Sequence, residues 1–397
     1  MNAASELAII VVAAGRGSRA GGGTPKQYRS LAGRPLLAHT LDALLRAAPG
    51  AMILPVIHKD DVDLYRISAA PFEANVRLAH PVYGGETRQA SVRLGLEALA
   101  EQKSNPKIVL IHDAARLFIS DTLVDLAITA AKTYGAAIPG VTLSDTIKEI
   151  GAKGFVTATP PRAQLRAVQT PQAFRFDLIL AAHRNAASVG ALELTDDAAV
   201  AEWAGHPVHI FAGEDSNLKV TTSKDLSVAE ARLLRDLADI RTGQGYDVHA
   251  FGPGDHVWLG GHQIAHDHGL VGHSDADVLS HAITDALLGA LADGDIGSHF
   301  PPNDPQWRGA ASRIFLAAAA AKVRDRRGAI SHIDATVVCE RPKLGPHRDA
   351  IRASIAHIVG IPLDRVAIKA TTSEGLGFTG REEGIAALAI ATIRLPL

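Results

Sequence analysis

The sequence is poor in the features of secreted and membrane proteins. Its 397 residues include one cysteine, Cys339, so no intramolecular disulfide can form and nothing points to an oxidising compartment. No apolar run approaches the roughly 18 residues of a membrane helix, and the start, MNAASELAIIVVAAG, lacks the basic residues of a signal peptide. With 40 basic and 42 acidic residues, the net charge of −2 provides no general attraction for nucleic acid or anionic membranes. We therefore expect a cytoplasmic protein whose partners are small molecules.

The composition is that of a globular protein, with 47% apolar and 21% charged residues, and the length favours two domains. In the first half, strand-like and helix-like segments alternate, which is typical of a doubly wound α/β sheet with ligands at the carboxyl ends of its strands. The predicted strands are 7–15, 51–57, 75–80, 107–113, 330–340 and 365–372, and the predicted helices include 35–47, 90–100 and 275–291. The last segment is the apolar GIAALAIATIRL (384–395).

The second half has other spacings and is rich in histidine. An amphipathic helix predicted over 223–240 joins the halves, and we place the boundary near residue 237. The expected fold class is α/β, with a Rossmann-like doubly wound domain over 1–237 and a smaller α/β sandwich over 238–397.

The segment VVAAGRGSRAGGGTPKQY (11–28) follows the first predicted strand and suits a phosphate group. Gly15 and Gly17 permit tight turns that direct N–H groups at an anion, and Arg19 and Lys26 add positive charge. The segment is not a Walker loop, because no GK[ST] follows at the required spacing. It does match G-x-G-x-x-A, the pattern of a dinucleotide site. Such a site also needs an acidic residue at the end of the second strand, about 20 positions further on, and the predicted helix 35–47 occupies that region instead. A plain β-α turn stays open as an alternative.

Asp113 follows the apolar strand KIVLIHD (107–113), a position at which a lone carboxylate commonly holds Mg²⁺. A helix N-cap is the structural alternative for this residue.

Several segments of the first half together resemble one enzyme family. They are the A-A-G-x-G-x-R loop with P-K-Q, GGETRQASV (84–92), VLIHDAAR (109–116), SDTIK (144–148), LTDDAA (194–199) and DSNLKVTT (215–222). Over residues 5–235 the chain resembles the 2-C-methyl-D-erythritol 4-phosphate cytidylyltransferases of isoprenoid biosynthesis, which act on CTP. Leu117 departs from the family, which usually has proline there, but the change removes no functional group.

This resemblance implies roles for individual residues. Arg19 and Lys26 would stabilise charge on the α-phosphate under attack, and Asp113 would bind Mg²⁺. The residues implied to contact the nucleotide are Gly15, Gly17, Arg88 and Ser91. Those implied to hold the methylerythritol phosphate are Thr146, Arg162, Thr195 and Lys219, with Arg162 and Lys219 also taking part in catalysis.

The stretch TGQGYDVHAFG (242–252) carries a different kind of chemistry. Asp247 and His249 stand two apart, so on a strand both side chains point to the same face. His281 is the best candidate for a third ligand, because it lies off the apolar stripe of the predicted helix 275–291, with Asp277 and Asp285 at four-residue spacings. Three protein ligands with an open position describe a catalytic zinc site, and a neighbouring carboxylate would orient the histidine. A solvated polar helix face would give the same pattern.

The second half resembles the 2-C-methyl-D-erythritol 2,4-cyclodiphosphate synthases over about residues 241–395. The motifs that carry this resemblance are GYDVHAFG, HSDADV, AITDALLG, GDIG and ATTSEGLGFTGREEG. His273 and Ser274 lie in a glycine-bearing loop before the predicted helix, where a helix N-terminus favours an anion. Pro302 departs from the family, because it stands where an acidic residue is more common.

The resemblance implies a zinc site of Asp247, His249 and His281, and a second divalent ion at Glu374. Substrate contacts are implied for Asp247, Val248, His249, Ser274, Asp295, Ile296, Gly297, Lys343, Leu344, Thr371, Ser373, Glu374, Phe378 and Arg381, with His273 and Thr372 taking part in catalysis. The family also implies Mg²⁺ for both reactions and a trimer in which one chain gives the metal and another the cytidine pocket.

The expected protein is thus a bifunctional enzyme that acts on CTP and methylerythritol phosphates, as a homo-oligomer. A kinase must act between its two reactions and could associate with it. One alternative is a sugar-nucleotide pyrophosphorylase fused to an unrelated metal-binding or nucleotide-sensing domain. Fusion to an acyltransferase would require hexapeptide repeats, which the second half does not show. Another alternative is a nucleotide-sensing scaffold, although the reactive residues named above are all present.

Overall fold

A computed structural model describes residues 6–16, 23–101, 106–191, 194–301 and 303–397. The chain forms two compact units, here called the N-terminal and the C-terminal unit, which divide between Val228 and Ala229. Within these described ranges, no helix has the length and apolar character needed to cross a membrane.

The N-terminal unit is built from short strands and helices in alternation. Its strands are β1 (Leu7–Ala13), β2 (Ser30–Leu31), β3 (Arg34–Pro35), β4 (Met52–Ile57), β5 (Val82–Tyr83), β6 (Ile108–Asp113), β7 (Ala136–Thr142), β8 (Glu149–Ile150), β9 (Val156–Ala158), β10 (Arg166–Val168), β11 (Gln172–Arg175) and β12 (His209–Ala212). Its helices are α1 (Leu36–Ala47), α2 (Val62–Ala69), α3 (Arg88–Glu101), α4 (Asp121–Tyr134), α5 (Phe176–Ser188) and α6 (Asp197–Trp203), and α7 (Ser223–Asp236) spans the division.

The main sheet of this unit has the order β10-β7-β11-β6-β1-β4-β5, with β12 also paired to β7. Strand β1 is parallel to β4 and β6, whereas β11 is antiparallel to β6. Alternate side chains of β1 enter two cores on opposite faces: Ile9 and Val11 pack in one, and Ala8 and Ile10 in the other. Both faces are therefore covered, which explains the uninterrupted apolar run of β1. The predicted doubly wound α/β fold is confirmed.

The strand predicted over 75–80 is wrong. Leu78 makes an isolated bridge to Ile53, and the edge strand β5 begins later, at Val82. The side chain of Asn75 instead accepts a hydrogen bond from the Arg77 amide at 3.1 Å, a local turn that competes with strand pairing. The Arg77 guanidinium donates to carbonyls at the end of α1, so this segment caps a helix.

The C-terminal unit is an α/β sandwich, as predicted. Its strands are β13 (Asp239–Gly252), β14 (His256–Leu259), β15 (His262–Ala265), β16 (Gly269–Leu270), β17 (Ala329–Val338), β18 (Val366–Thr371) and β19 (Gly384–Leu395). Its helices are α8 (Val278–Ala290), α9 (Ile296–His299), α10 (Arg313–Asp325), α11 (Arg348–Val359) and α12 (Gly377–Gly380). The main sheet has the order β16-β13-β19-β17-β18, and the apolar stripe predicted for α8 is buried in the core that covers one face.

Two glycines of β13 allow α8 to pack directly on this strand. A Cβ at Gly243 would lie 2.2 Å from the Ala286 carbonyl oxygen, and one at Gly245 would lie 2.0 Å from that of Ala282. Either distance is far inside contact range, so glycine is required at both positions. Side chains of β13 on the glycine face are thereby held close to α8.

Candidate active sites

The first candidate site is a cleft where β1 and β6 end, as expected for an open α/β sheet. Of the predicted residues, six line it: Gly15, Lys26, Arg88, Ser91, Asp113 and Lys219. Gly17 and Arg19 lie outside the described residues. Strand β6 and the start of α3 therefore bring together side chains that are more than 20 positions apart in the sequence.

Asp113 is the electrostatic centre of this cleft. One of its carboxylate oxygens lies 3.2 Å from Arg88 Nε and the other 2.6 Å from Lys219 Nζ. Burial opposes the charge, but the neighbouring Arg88 and Lys219 outweigh it and hold the pKa of Asp113 well below its usual value. Arg88 also pairs with the buried Asp197 at 2.8 Å, yet its Nη2 has no hydrogen-bond partner among the described residues. A buried donor of this kind is suited to a ligand oxygen.

Backbone contacts position the two lysines. Lys26 Nζ donates to the Val220 carbonyl at 3.1 Å, which places Lys26 beside the loop that carries Lys219. Gln27 Nε2 donates to the carbonyls of Ala13 and Gly15 at 2.8 and 2.9 Å, and so fixes the exit of β1. The arrangement concentrates cations at one end of the sheet, as a polyphosphate requires.

Three of the predicted residues do not line the cleft. Thr146, Arg162 and Thr195 are exposed, and the Arg162 guanidinium donates to the Ser144 carbonyl. Leu117, the departure from the family pattern, is buried with 4% of its surface exposed. It therefore acts as a core residue.

The second candidate site lies in the C-terminal unit, where β13 meets α8. His281 Nδ1 lies 2.9 Å from Asp247 Oδ2 and 3.2 Å from His249 Nε2, and the latter two atoms are 3.1 Å apart. The prediction that Asp247 and His249 share a strand face and meet His281 agrees with this geometry. Burial opposes ionisation of Asp247, but the two histidines that face it outweigh burial and hold its pKa below the usual value.

The donor atoms of Asp247, His249 and His281, here called the metal-type triangle, fit a divalent cation. A tetrahedral zinc ion with bonds of about 2.0–2.1 Å holds its ligands roughly 3.3 Å apart, close to the separations found here. His249 Nδ1 lies 2.7 Å from the Val271 carbonyl oxygen, which can only accept, so Nδ1 carries the proton and Nε2 presents a lone pair to the triangle. Two imidazole nitrogens and a carboxylate oxygen are a donor set that zinc prefers.

The expectation that a neighbouring helix carboxylate orients His281 is wrong. Asp277 caps α8 and accepts from the amides of Gly260 and Gly261, while Asp285 accepts from the Ile296 amide at 2.7 Å. Both carboxylates therefore hold loops. The ring of His281 is instead bonded through Nε2 to Ser312 Oγ at 2.8 Å, a residue that our sequence reasoning missed.

The other predicted residues of this unit fall in separate places. Lys343, Leu344, Thr371 and Thr372 line one pocket of about 350 Å³ beside β18. His273, Asp295, Gly297, Glu374 and Arg381 are exposed, and Ser274, Ile296, Ser373 and Phe378 are half-buried. Val248 is exposed on the face of β13 opposite the two glycines, so its side chain lies away from the metal-type triangle.

Glu374 and Arg381 already have protein partners. Thr372 Oγ1 donates to Glu374 at 2.6 Å, and the Arg381 guanidinium forms two bonds with Glu383 at 2.8 and 3.1 Å. Both side chains are exposed, so a ligand could compete for them at little cost.

Comparison with known proteins adds to this geometry. Residues 7–235 match the family of 2-C-methyl-D-erythritol 4-phosphate cytidylyltransferases (IspD), and residues 240–394 match the YgbB family. The chain is 59% identical over 397 residues to the bifunctional enzyme IspD/IspF of Rhodopseudomonas palustris, covering 100% of this chain and 98% of that protein. The chain belongs to the bifunctional IspD/IspF family.

Two further relatives agree. The bifunctional enzyme IspD/IspF of a Bradyrhizobium species is 56% identical over 396 residues, which covers 100% of this chain and 99% of that protein. The solved structure of a 4-diphosphocytidyl-2C-methyl-D-erythritol synthase from Anaerococcus prevotii covers 58% of this chain and 98% of its own, with 32% identity and a TM-score of 0.50. The prediction of a bifunctional IspD/IspF enzyme is confirmed.

The IspD-family unit also contains site residues that the sequence reasoning missed. Asp197 and Gln27 organise Arg88 and the loop after β1, and His58 and Lys59 line the cleft. Gln27 stands in the quoted P-K-Q motif, so its position gave a usable signal. Asp197 stands in the quoted LTDDAA motif, but nothing in that motif points to its partner Arg88, which is more than 100 residues away.

Proposed function

We propose that residues 1–237 transfer CMP from CTP to 2-C-methyl-D-erythritol 4-phosphate with release of pyrophosphate. We further propose that residues 238–397 cyclise 4-CDP-2-C-methyl-D-erythritol 2-phosphate to 2-C-methyl-D-erythritol 2,4-cyclodiphosphate and CMP. One observation carries both: the IspD-family unit has a cation-rich cleft at its strand ends, and the YgbB-family unit has a converging set of metal-type donors. Both reactions are attacks of a substrate phosphate oxygen on phosphorus, which depend on positioning and charge stabilisation.

In the first reaction, an oxygen of the 4-phosphate attacks the α-phosphorus of CTP and pyrophosphate leaves. Lys26, with Arg19, would donate to the α-phosphate as its negative charge grows. Arg88 and Ser91 would hold the nucleotide, and the unpartnered Arg88 Nη2 supports this role. When bound, Mg²⁺ would offset charge on the triphosphate, with Asp113 as its protein ligand.

The methylerythritol phosphate would be held by Lys219, which lines the cleft, and by the exposed Thr146, Arg162 and Thr195. Thr146 and Arg162 lie between β7 and β10, whereas Thr195 lies just before α6. They would reach a substrate in the cleft if these segments closed over it or if a second copy presented its own residues. Their role is therefore conditional on assembly or closure, whereas that of Lys219 is not.

In the second reaction, the 2-phosphate of the substrate attacks its own β-phosphorus and CMP leaves. Asp247, His249 and His281 would hold Zn²⁺, which when bound would withdraw charge from the diphosphate. Loop residues would contact the reacting groups: His273 and Ser274 the attacking phosphate, and Glu374 a second divalent ion. Because both reacting groups share one molecule, the site mainly imposes a folded conformation.

We also propose that the C-terminal units assemble as trimers. Asp247 pairs with Ala387, Ala387 with Val337, and Val337 with Ala370, so the metal-type triangle and the pocket beside β18 are three strand spacings apart. At roughly 4.8 Å per spacing this is about 14 Å within one chain. A neighbouring chain that supplied its own pocket would shorten the distance a bent substrate must span.

The outer face of the same sheet supports this assembly. It exposes apolar side chains on adjacent strands, namely Ile240, Tyr246, Val248, Leu388 and Ile390. Contiguous exposed apolar side chains commonly mark an interface, and a closed ring of three would cover all copies. Sedimentation of the full-length protein tests this, and a fully active species with unassociated C-terminal units would contradict it.

The two reactions cannot follow one another directly. The first yields a product with a free 2-hydroxyl, whereas the second requires a phosphate on that oxygen. An ATP-dependent kinase must act between them, and we propose that the fusion serves co-localisation with that kinase. We expect methylerythritol phosphate and CTP to stop at the cytidylyl product until the kinase and ATP are added. Cyclic product formed without the kinase, followed by phosphorus NMR, would contradict the proposed second site.

The overall assignment is tested by separating the two activities with paired variants of the full-length protein. Lys26→Ala should lose pyrophosphate release and keep cyclisation, and His281→Ala should do the reverse. Each variant is the control for the other, because either one shows that the chain folds. Loss of both activities in either variant would contradict the assignment of separate sites.

A further inference from the structure

Ser312 is a buried serine at an unusual helix start. It occupies the N-cap position of α10, where a serine side chain normally accepts a hydrogen bond from the first turn. Its hydroxyl makes no such cap bond, and none of its surface is exposed. The side chain is instead turned to His281 Nε2 at 2.8 Å and to Asp275 Oδ1 at 2.5 Å. The hydroxyl thus makes two side-chain contacts in place of the usual capping bond.

The protons in this chain of contacts can be assigned. The Asp275 carboxylate only accepts, and it already receives the Ser312 amide at 3.1 Å. The Ser312 hydroxyl therefore donates to Asp275, and its oxygen is left to accept from His281 Nε2–H. With the ring proton on Nε2, His281 Nδ1 presents its lone pair towards Asp247 and His249.

The same contacts reach the substrate loop. Ser274 Oγ lies 3.1 Å from Ser312 Oγ and 3.2 Å from His281 Nε2. Asp275 follows it in the chain and binds Ser312 through both amide and hydroxyl. A displacement of Ser312 would therefore disturb the metal-type triangle and the loop that carries His273 and Ser274.

We propose that Ser312, held by Asp275, is a positioning residue that fixes the tautomer and ring orientation of His281 for metal binding. This inference rests on the proposed metal site in the C-terminal unit. Groups that orient a metal-binding histidine commonly change metal affinity by about 10- to 100-fold when removed. Ser312→Ala removes the nearer acceptor of His281 Nε2, at 2.8 Å, and leaves Ser274 Oγ at 3.2 Å without its contact to Ser312. It should weaken zinc binding by that factor.

The experiment is a zinc titration of metal-free full-length protein against a chromophoric chelator. Thr284→Ala is the matched control, because Thr284 is also fully buried and its hydroxyl donates to the Ser280 carbonyl within α8 at 2.7 Å. It should keep the wild-type zinc affinity. Ser312→Thr retains the hydroxyl and should recover most of the affinity that Ser312→Ala loses.

The outcomes separate this inference from the function on which it rests. Wild-type zinc affinity in Ser312→Ala, or an equal loss in Thr284→Ala, would overturn the positioning role and leave the metal site standing. A wild-type protein that binds no zinc would overturn both. If Ser312→Ala does not fold, Asp275→Ala decides. It removes the acceptor of the Ser312 hydroxyl proton and should lower zinc affinity by about 10-fold, and unchanged affinity would count against the inference.

Discussion

Gly245 is the position where one added methyl group tests the geometry of the metal-type donors. A Cβ there would lie 2.0 Å from the Ala282 carbonyl oxygen and 2.8 Å from the Ala286 amide nitrogen. Both atoms are helix backbone and cannot rotate away, so in Gly245→Ala the strand β13 and the helix α8 must separate by about 1 Å. His281 precedes Ala282 and moves with the helix, whereas Asp247 stays on the strand.

A separation of about 1 Å is large compared with the displacement that a metal site tolerates. The donor atoms of His281, Asp247 and His249 are 2.9 to 3.2 Å apart, and metal sites tolerate about 0.2 Å in their bond lengths. A misplacement of about 1 Å can cost about 100-fold in rate. We expect Gly245→Ala to lose its tightly bound zinc and to lower kcat/KM for cyclisation by about 100-fold, with cytidylyl transfer unchanged.

Gly289 provides the control on the same helix. A Cβ at Gly289 would find its nearest neighbours at 3.8 and 3.9 Å, in ordinary contact, so Gly289→Ala should keep zinc and both activities. Zinc is counted by mass spectrometry of the purified full-length proteins, and cyclisation is followed by phosphorus NMR. A Gly245→Ala protein with full zinc and wild-type cyclisation would refute the reasoning, as would equal damage by Gly289→Ala.

Three other substitutions test separate parts of the chain. Lys26→Ala should lower pyrophosphate release by about 100-fold or more, because it removes a preorganised cation from the cleft; near-normal release in a coupled assay would show that the lysine has another role. His281→Ala should lose about one zinc per chain in metal analysis, whereas full retention would place the ion elsewhere, for instance at the donors of His266, Asp267 and His268. Arg77→Ala should lower the free energy of unfolding of the N-terminal unit by about 1–3 kcal/mol, since two carbonyls at the end of α1 lose their donor; an unchanged urea midpoint would argue that water replaces it.

The fold was predictable where one periodicity dominated a segment. The buried strand β1 and the apolar stripe of α8 appear as expected, because burial on both faces or on one stripe leaves a clear pattern. The segment 75–80 failed because Asn75 bonds locally to the Arg77 amide, while the Arg77 guanidinium donates to the Ala48 carbonyl, 29 positions away. Neither a local side-chain bond nor a single distant one leaves a periodic pattern, so pattern reasoning cannot detect them.

The metal-type triangle was predictable for a similar reason. Asp247 and His249 obey the two-residue period of a strand, and His281 lies off the apolar stripe of its helix. The orienting group was not predictable, because serine at a helix start normally signals a cap. Nothing in the sequence around Ser312 shows that its hydroxyl turns to a histidine 31 positions away. The carboxylates at 277 and 285 satisfied the spacing rule, but loop amides bind both of them.

The two sites stabilise the negative charge of phosphate groups in different ways. In the N-terminal unit both oxygens of Asp113 are paired with Arg88 and Lys219, so positive charge is built into the chain before any substrate arrives. In the C-terminal unit Asp247, His249 and His281 turn lone pairs towards one point, an arrangement that becomes favourable when a cation lies between them. Metal removal should therefore disturb the geometry of the second site itself, whereas the ion pairs of the first persist without it. One chain thus combines a site that contains its own cations with a site whose donors are arranged for a cation.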